Sequence, residues 1–233
     1  MTTSPSFREI LSDLRNDKVR RERRTDWAIA YLYRPPGTAL SWVFLRMGMG
    51  PVAVSVLGLI VSLFVPAFAL WLPVWLAAWM VCFCGVAFQI LDCSDGTVAR
   101  MTGRTSILGA DLDYFFGMVH YLCLYPSIGL LADRTFESGL LWTAVATIAV
   151  AVRFLARLIR DQIALRKSQG EDTPFRLNDI PVAFLAGLTG LIPFGALSGP
   201  YLGAVVVALL IYSVLDVIDA SLPLRDAPYR PDS

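Results

Sequence analysis

The stretch LDCSDGTVARMTGRTSILGADLDYFFG, residues 91–117, joins two long apolar runs and contains four aspartates and two arginines. Each apolar run is about as long as the 20 residues that cross the hydrocarbon core of a membrane. The charged residues of the stretch are Asp92, Asp95, Arg100, Arg104, Asp111 and Asp113. Ionisable side chains at the edge of membrane helices are costly and mark functional sites. The stretch therefore predicts two membrane helices that meet at a polar site.

The composition of the whole chain is typical of a membrane protein. The 233 residues are 56% hydrophobic and 17% charged, whereas soluble chains carry roughly 25% charged residues. The mean hydropathy is +0.59. Apolar segments of sufficient length predict an all-α polytopic membrane protein with six transmembrane helices. The predicted spans are 51–70, 73–91, 107–131, 139–156, 180–197 and 200–219.

The distribution of Lys and Arg predicts the orientation of these helices. Basic residues concentrate in the first 50 residues, in the 91–117 stretch, in residues 157–178 and in the C-terminal tail, whereas the alternate connections hold only Arg134. Cytoplasmic segments of membrane proteins carry the excess of positive charge. We therefore expect both termini and the acidic stretch on the cytoplasmic side of a bacterial inner membrane.

The N-terminal segment combines basic and apolar residues. In residues 7–33 the apolar positions recur at helical spacing, which predicts an amphipathic helix in the membrane interface. A solvated basic tail that helps to set the topology is the alternative, and no nucleic-acid partner is expected beside a membrane. The residues Arg34–Gly37, which include two prolines, are predicted to end this helix. The predicted domains are an N-terminal interfacial segment 1–38, a six-helix membrane domain 39–222 and a cytoplasmic tail 223–233.

The aspartates share faces of the two predicted helices. Residues three or four apart lie on one face of a helix, which groups Asp92 with Asp95 and, in the next helix, Gly109 with Asp113. A turn around Gly103 is predicted to separate the helices. The hairpin then directs Asp92, Asp95 and Asp113 toward one point, where the carboxylates repel one another unless cations lie between them. Oxygen ligands of this kind suit Mg²⁺ or Mn²⁺ bound to a phosphate substrate.

Two other interpretations of the acids remain open at this point. The acids could be interfacial residues that pair with Arg100 and Arg104 and only stabilise the fold. A transporter is a further alternative, although its acids are expected within the spans rather than at one edge of them.

The spacing of these residues resembles a known signature. The chain reads Asp92-x2-Asp95-Gly96-x2-Ala99-Arg100-x8-Gly109-x3-Asp113, and the CDP-alcohol phosphotransferase family has D-x2-D-G-x2-A-R-x8-G-x3-D-x3-D. Seven of the eight fixed positions match at the family spacing, and the last Asp is replaced by Gly117. A weaker likeness at the start of the first span places Val52 and Ser55 where many members have Asn and Thr.

This resemblance implies a reaction, a cofactor and a set of site residues. Family members are homodimers that transfer a phosphoalcohol group from a CDP-alcohol, such as CDP-diacylglycerol, to an acceptor alcohol and release CMP. The reactions belong to phospholipid or related phosphodiester biosynthesis. By this likeness Asp92, Asp95 and Asp113 are the expected ligands of Mg²⁺ or Mn²⁺. The expected nucleotide-binding residues are Gly96, Ala99, Arg100 and Gly109.

Gly117 stands where the family has the Asp that is the expected general base for the acceptor hydroxyl. If the chain is an enzyme, another group takes the proton: His120, Asp111, a hydroxide on the metal or the substrate phosphate. Gly117 could instead make room for an acceptor that brings its own ionisable group. A non-catalytic membrane protein that retains the nucleotide and cation cradle is the alternative to the enzyme.

Three arginines follow one face of the fourth predicted span. Arg153, Arg157 and Arg160 lie three and four residues apart and suit an anionic acceptor or a lipid phosphate. Side chains that reach out to the cytoplasmic headgroups are the alternative. Asp216 and Asp219, near the end of the last span, receive no predicted role.

Overall fold

The structure is a computed structural model that describes residues 7–12, 14, 19–20, 23, 26–166 and 187–225. The described part is helical and contains no β-strand. Its α-helices are α1 (Phe7–Ser12), α2 (Arg34–Arg46), α3 (Pro51–Trp71), α4 (Val74–Thr102), α5 (Ile107–Phe136), α6 (Leu141–Arg166) and α7 (Leu202–Arg225). A π-helical turn, Ile29–Tyr33, precedes α2, and two 3₁₀ helices, Leu188–Leu197 and Gly199–Tyr201, precede α7.

Five helices of the described part, α3 to α7, are long and apolar enough to cross a membrane. They confirm the prediction of an all-α integral membrane protein. The fifth predicted span, 180–197, begins outside the described residues, and its described part is the 3₁₀ helix Leu188–Leu197. Its 10 residues extend for about 20 Å at about 2 Å per residue, less than the hydrocarbon core of about 30 Å.

The predicted interfacial helix of residues 7–33 is described only in part. Helix α1 covers Phe7–Ser12 and buries Ile10, and the π-helical turn covers Ile29–Tyr33. Most of residues 13–25, the polar segment 167–186 and the tail beyond residue 225 lie outside the described residues.

The preceding π-helical turn ends at Tyr33, but the prediction that Arg34–Gly37 break the helical structure is wrong. Helix α2 begins at Arg34, and two prolines occupy its first turn. Proline is tolerated there because the first N–H groups of a helix have no helical partner. Helix α2 continues to Arg46 and therefore crosses the predicted domain boundary between residues 38 and 39.

The turn between α4 and α5 has a cap on each side. Gly103 follows the last residue of α4 with a φ of 64°, as the sequence predicted, and glycine adopts this left-handed conformation without steric cost. On the other side Ser106 precedes α5, and its Oγ accepts a hydrogen bond of 3.0 Å from the backbone N–H of Gly109. Such a cap satisfies a first-turn donor that has no helical partner. The two caps define the hairpin that carries the motif.

Helices α3 to α7 pack around one apolar core. Fully buried side chains at its centre include Val65, Val81, Leu124, Ile128, Leu131 and Val206. Helices α6 and α7 run in the same direction, because Gly203 packs against the ring of Trp142 near their first residues and Arg160 pairs with Asp216 near their last ones.

A buried carboxylate fastens the start of α6 to the end of α5. Asp133 is 3% exposed and accepts hydrogen bonds from Ser138 Oγ at 2.8 Å and from the backbone N–H groups of Trp142 and Thr143 at 2.9 and 2.8 Å. The hydroxyl of Thr143 adds a fourth bond at 2.7 Å. Asp133 therefore caps α6 at the end of the bundle remote from the motif.

The neighbouring arginine closes α3 at the same end. Arg134 donates one hydrogen bond to the carbonyl oxygen of Ala69 and another, of 2.8 Å, to that of Leu72. Carbonyl groups in the last turn of a helix lack helical donors, so Arg134 satisfies two acceptors that would otherwise face the membrane boundary.

We expect Asp133→Ala to lower the free energy of unfolding of the purified protein by about 1–2 kcal/mol, because the first turn of α6 loses its cap. Chemical denaturation in detergent micelles measures the change. Asp111→Ala, at an exposed position of the same helix, is the matched control and should leave stability unchanged. Equal effects of the two substitutions would contradict the capping role.

Candidate active-site cavity

A cavity of about 580 Å³ opens between α4, α5, α6 and α7 and the segment before α2. Six aspartates and four arginines line it. The aspartates are Asp26, Asp92, Asp95, Asp113, Asp216 and Asp219, and the arginines are Arg34, Arg153, Arg157 and Arg160. Charged groups of both signs thus face one another inside a bundle whose outer surface is apolar.

The three motif acids lie on one side of this cavity. Asp92 and Asp95 come from α4 and Asp113 comes from α5, as the predicted hairpin requires. Asp95 is 4% exposed, and its carboxylate is close enough to that of Asp113 for the two charges to interact. The Oγ of Ser55 donates a hydrogen bond of 2.5 Å to Asp95 Oδ2. A charge-assisted bond of this length orients the carboxylate.

Ser55 is the site residue whose role the sequence did not predict. It was noted only as a departure from the Thr that many family members have at this position. The sequence does contain one indication of this role, because Ser keeps the hydroxyl group of Thr. Ser55 also lies only four residues after Pro51, where α3 starts. Only the packing of α3 against α4 shows that this hydroxyl reaches Asp95.

The donor chemistry of the acids suits a hard cation. Among the residues that the structure describes, no three His, Cys, Asp or Glu side chains are grouped so as to hold a metal ion by themselves. Mg²⁺ is usually held by one or two carboxylates and completes its shell with water and substrate phosphate. The close pair Asp95 and Asp113 fits such a site, with Asp92 beside it on the same cavity.

The residues expected to bind the nucleotide divide into two groups. Gly96 lines the cavity, whereas Ala99, Arg100 and Gly109 are outside the cavity lining found in the described part of the chain. Arg100 donates a hydrogen bond of 3.1 Å to Thr97 Oγ1. A Cβ atom at Gly109 would lie 3.0 Å from the Ser106 hydroxyl, so glycine here protects the cap of α5.

The three predicted arginines line the same cavity from α6, and each has different neighbours. Arg153 lies between two tyrosine rings, at 4.6 Å from the centroid of Tyr121 and 5.4 Å from that of Tyr212. One terminal nitrogen of Arg153 is buried and has no hydrogen-bond partner within the described residues. This guanidinium is therefore held by aromatic faces, and one of its terminal nitrogens is left without a partner in that part of the chain.

The other two arginines are engaged with the protein. Arg157 lies 4.4 Å from the ring centroid of Tyr114, whose hydroxyl donates to Asp161. Arg160 pairs with Asp216 at 2.6 Å and Asp219 at 3.0 Å, so these two acids, which had no predicted role, offset its charge.

His120, a candidate base, is a packing residue in this structure. Its side chain has no exposed surface, its Nδ1 lies 2.9 Å from Ser62 Oγ, and its ring stacks on Phe88 at 3.9 Å. Neither His120 nor Asp111 is part of the cavity lining in the described residues.

Comparisons with models of protein families and with curated proteins find no match.

Gly117 lines the cavity one turn after Asp113. A Cβ atom built at this position meets no atom within 4 Å, and the backbone has no positive φ. Neither close packing nor backbone conformation therefore requires glycine here. The position where the motif has its last Asp therefore borders open space in the cavity.

We expect Gly117→Ala to raise the free energy of unfolding by about 0.5–1 kcal/mol, because alanine is the better helix former. Gly129→Ala, in the same helix, is the matched contrast, since its Cβ would lie 2.5 Å from the Trp142 carbonyl oxygen. We expect that overpacked variant to lose about 1–3 kcal/mol. Denaturation in micelles measures both, and a destabilised Gly117→Ala protein would contradict the open space.

Proposed function

We propose that this chain is a metal-dependent CDP-alcohol phosphotransferase of a membrane. It would transfer the phosphoalcohol group of a CDP-alcohol, such as CDP-diacylglycerol, to an acceptor alcohol and release CMP. The observation that carries the proposal is the cavity that joins Asp92, Asp95 and Asp113 of the signature to the arginines of α6. A cavity lined by both acids and arginines suits a phosphate substrate, because the arginines attract the phosphate directly and the acids can hold a cation that also binds it.

The acidic side of the cavity is proposed to receive the pyrophosphate. A bound Mg²⁺ or Mn²⁺ would supply positive charge to the phosphoryl oxygens and to the leaving CMP. Asp95 and Asp113 are the proposed ligands, and Asp92 stands beside them. Ser55 fixes the orientation of Asp95, and Gly96 leaves the wall of the cavity free of a side chain.

The arginine side is proposed to bind the acceptor. Arg153 lines the cavity and keeps one terminal nitrogen without a hydrogen-bond partner among the described residues, and Arg suits planar recognition of a phosphate or carboxylate. Tyr121 and Tyr212 hold its guanidinium in place. The acceptor oxygen then attacks the phosphorus of the phosphoalcohol group, and the bond from that phosphorus to CMP breaks.

The proton of the acceptor hydroxyl needs a destination other than the usual motif carboxylate. His120 and Asp111 lie outside the cavity lining of the described residues, so the proposal assigns the proton to an oxygen of the substrate phosphate. The open space at Gly117 leaves room for an acceptor with its own ionisable group.

The proposed topology has six spans, with the cavity on the cytoplasmic side. Helices α6 and α7 are parallel, which favours a return of the chain across the membrane between them. This return supports the span predicted at 180–197. The basic residues of the α4–α5 turn and of the N-terminal segment favour a cytoplasmic position for the cavity end. A bacterial inner membrane and a homodimer complete the proposal on the strength of the family resemblance.

Gly117 also supports a second candidate function. A protein that binds a CDP-alcohol and a cation without transferring the group would keep the acid wall and could lose the last Asp. In that case CDP-diacylglycerol binding remains measurable while CMP release is absent.

We expect Asp95→Asn and Asp113→Asn each to reduce CMP release by at least about 100-fold, because each removes a charge that faces the pyrophosphate. Purified protein is assayed with Mg²⁺ or Mn²⁺ and a panel of CDP-alcohols and acceptors. Asp111→Asn, exposed on the same helix as Asp113, is the control that should retain activity. Release that persists in both cavity variants would refute the metal assignment.

We expect Gly117→Asp to raise the rate of CMP release about 100-fold or more with ordinary acceptors, because it restores a general base in a space that can hold it. Gly117→Asn has nearly the same size without the basicity and is the matched control. If Gly117→Asp released CMP no faster than the wild-type protein, and Gly117→Asn had the same rate, the native site would not lack a base.

A further inference from the structure

Helix α2 packs against the back of α4 at very close range. A Cβ atom at Gly37 would lie 2.7 Å from Cys93 Cβ and 2.8 Å from the carbonyl oxygen of Ile90. Side chains do not occur at such distances, so only glycine allows this approach. Cys93 follows Asp92 directly in the chain, which places the contact at the level of the motif.

Two buried serines connect the helices at the same point. Ser94 Oγ lies 2.8 Å from the carbonyl oxygen of Gly37 and 2.8 Å from that of Ile90 in its own helix. Ser41 Oγ lies 2.8 Å from the Gly37 carbonyl oxygen and 3.1 Å from that of Ser94. Both serines have no exposed surface. The separation and register of α2 and α4 are therefore set by hydrogen bonds as well as by contact.

The contact lies opposite the acids on α4. Successive residues of an α-helix are about 100° apart around its axis. By this rotation Ile90, Cys93 and Ser94 form the face that meets α2, and Asp92 and Asp95 lie on the other side. A shift at the back of α4 therefore displaces the carboxylates at the front.

We propose that α2 is a positioning strut for the motif, in which Gly37 and Ser94 set the rotation and depth of α4 and so the places of Asp92 and Asp95 in the cavity. Neither residue touches the cavity in the described part of the chain, so both act through α4. This inference rests on the proposed function in one respect: it assumes that the motif acids bind a divalent cation. Helix α2 also carries Trp42 under the guanidinium of Arg46 at 4.2 Å, a pair suited to the membrane interface.

The test compares Gly37→Ala, Ser94→Ala and Val43→Ala in the purified full chain. Val43→Ala, at a 40% exposed position of α2, is the control. Mn²⁺ affinity is measured from the electron paramagnetic resonance signal of free Mn²⁺, and CMP release from CDP-diacylglycerol is measured against Mn²⁺ concentration. Residues that orient metal ligands typically change affinity 10- to 100-fold. We expect about a 10-fold weaker Mn²⁺ affinity in the first two variants, a matching shift in the Mn²⁺ needed for CMP release, and wild-type values in the control.

The outcomes separate the strut from the proposed function. If Gly37→Ala does not fold, Ser94→Ala, which removes one oxygen atom, provides the test. A lower melting temperature with unchanged Mn²⁺ affinity would show that the contact only packs the helices, and it would overturn the strut. A wild-type protein that binds Mn²⁺ but releases no CMP would overturn the proposed function, while the affinities still decide the strut. A wild-type protein that does neither would overturn both.

Discussion

A carboxylate beside hydrocarbon is stable only where the protein supplies water, hydrogen-bond donors or positive charge, and this constraint organises the whole bundle. Asp95 is the most buried acid of the motif and receives its donor from Ser55 on α3. The arginines that face the acids come from α6, and α7 supplies acids that offset one of them. Polar residues that would be costly to expose to lipid thus pair between helices that are far apart in the sequence.

Local features of the fold were predictable because their physical causes are local. Long apolar runs gave the spans that became α3 to α7, and Gly103 gave the end of α4 because only glycine adopts its conformation freely. The spacing of Asp92 and Asp95 placed both on one face of a helix, and both line the cavity. Each of these predictions depends on helix period or on the backbone of one residue, which a single sequence contains.

Other features depend on which helices meet, and periodicity does not report that. The hydrogen bond from Ser55 to Asp95 joins residues 40 positions apart, and the pairs formed by Arg160 join α6 to α7. The two prolines predict a break in the chain, but they lie in the first turn of α2, where the N–H groups have no helical partner to lose. The open space at Gly117 could not be foreseen either, since it depends on where α6 and α7 leave room.

On the proposed function, the clasp formed by Asp133 and Arg134 bears on which membrane leaflet the lipid substrate and product use. It lies 20 residues along α5 from Asp113, about 30 Å at 1.5 Å per residue, and ties α3, α5 and α6 together at that end. The cavity lies at the other end of the bundle, beside the motif. A lipid that enters the cavity and the product that leaves it would then use the same leaflet. On the proposed function, the enzyme would enlarge one monolayer without exchanging lipid with the other, and balance between the two would be left to separate proteins.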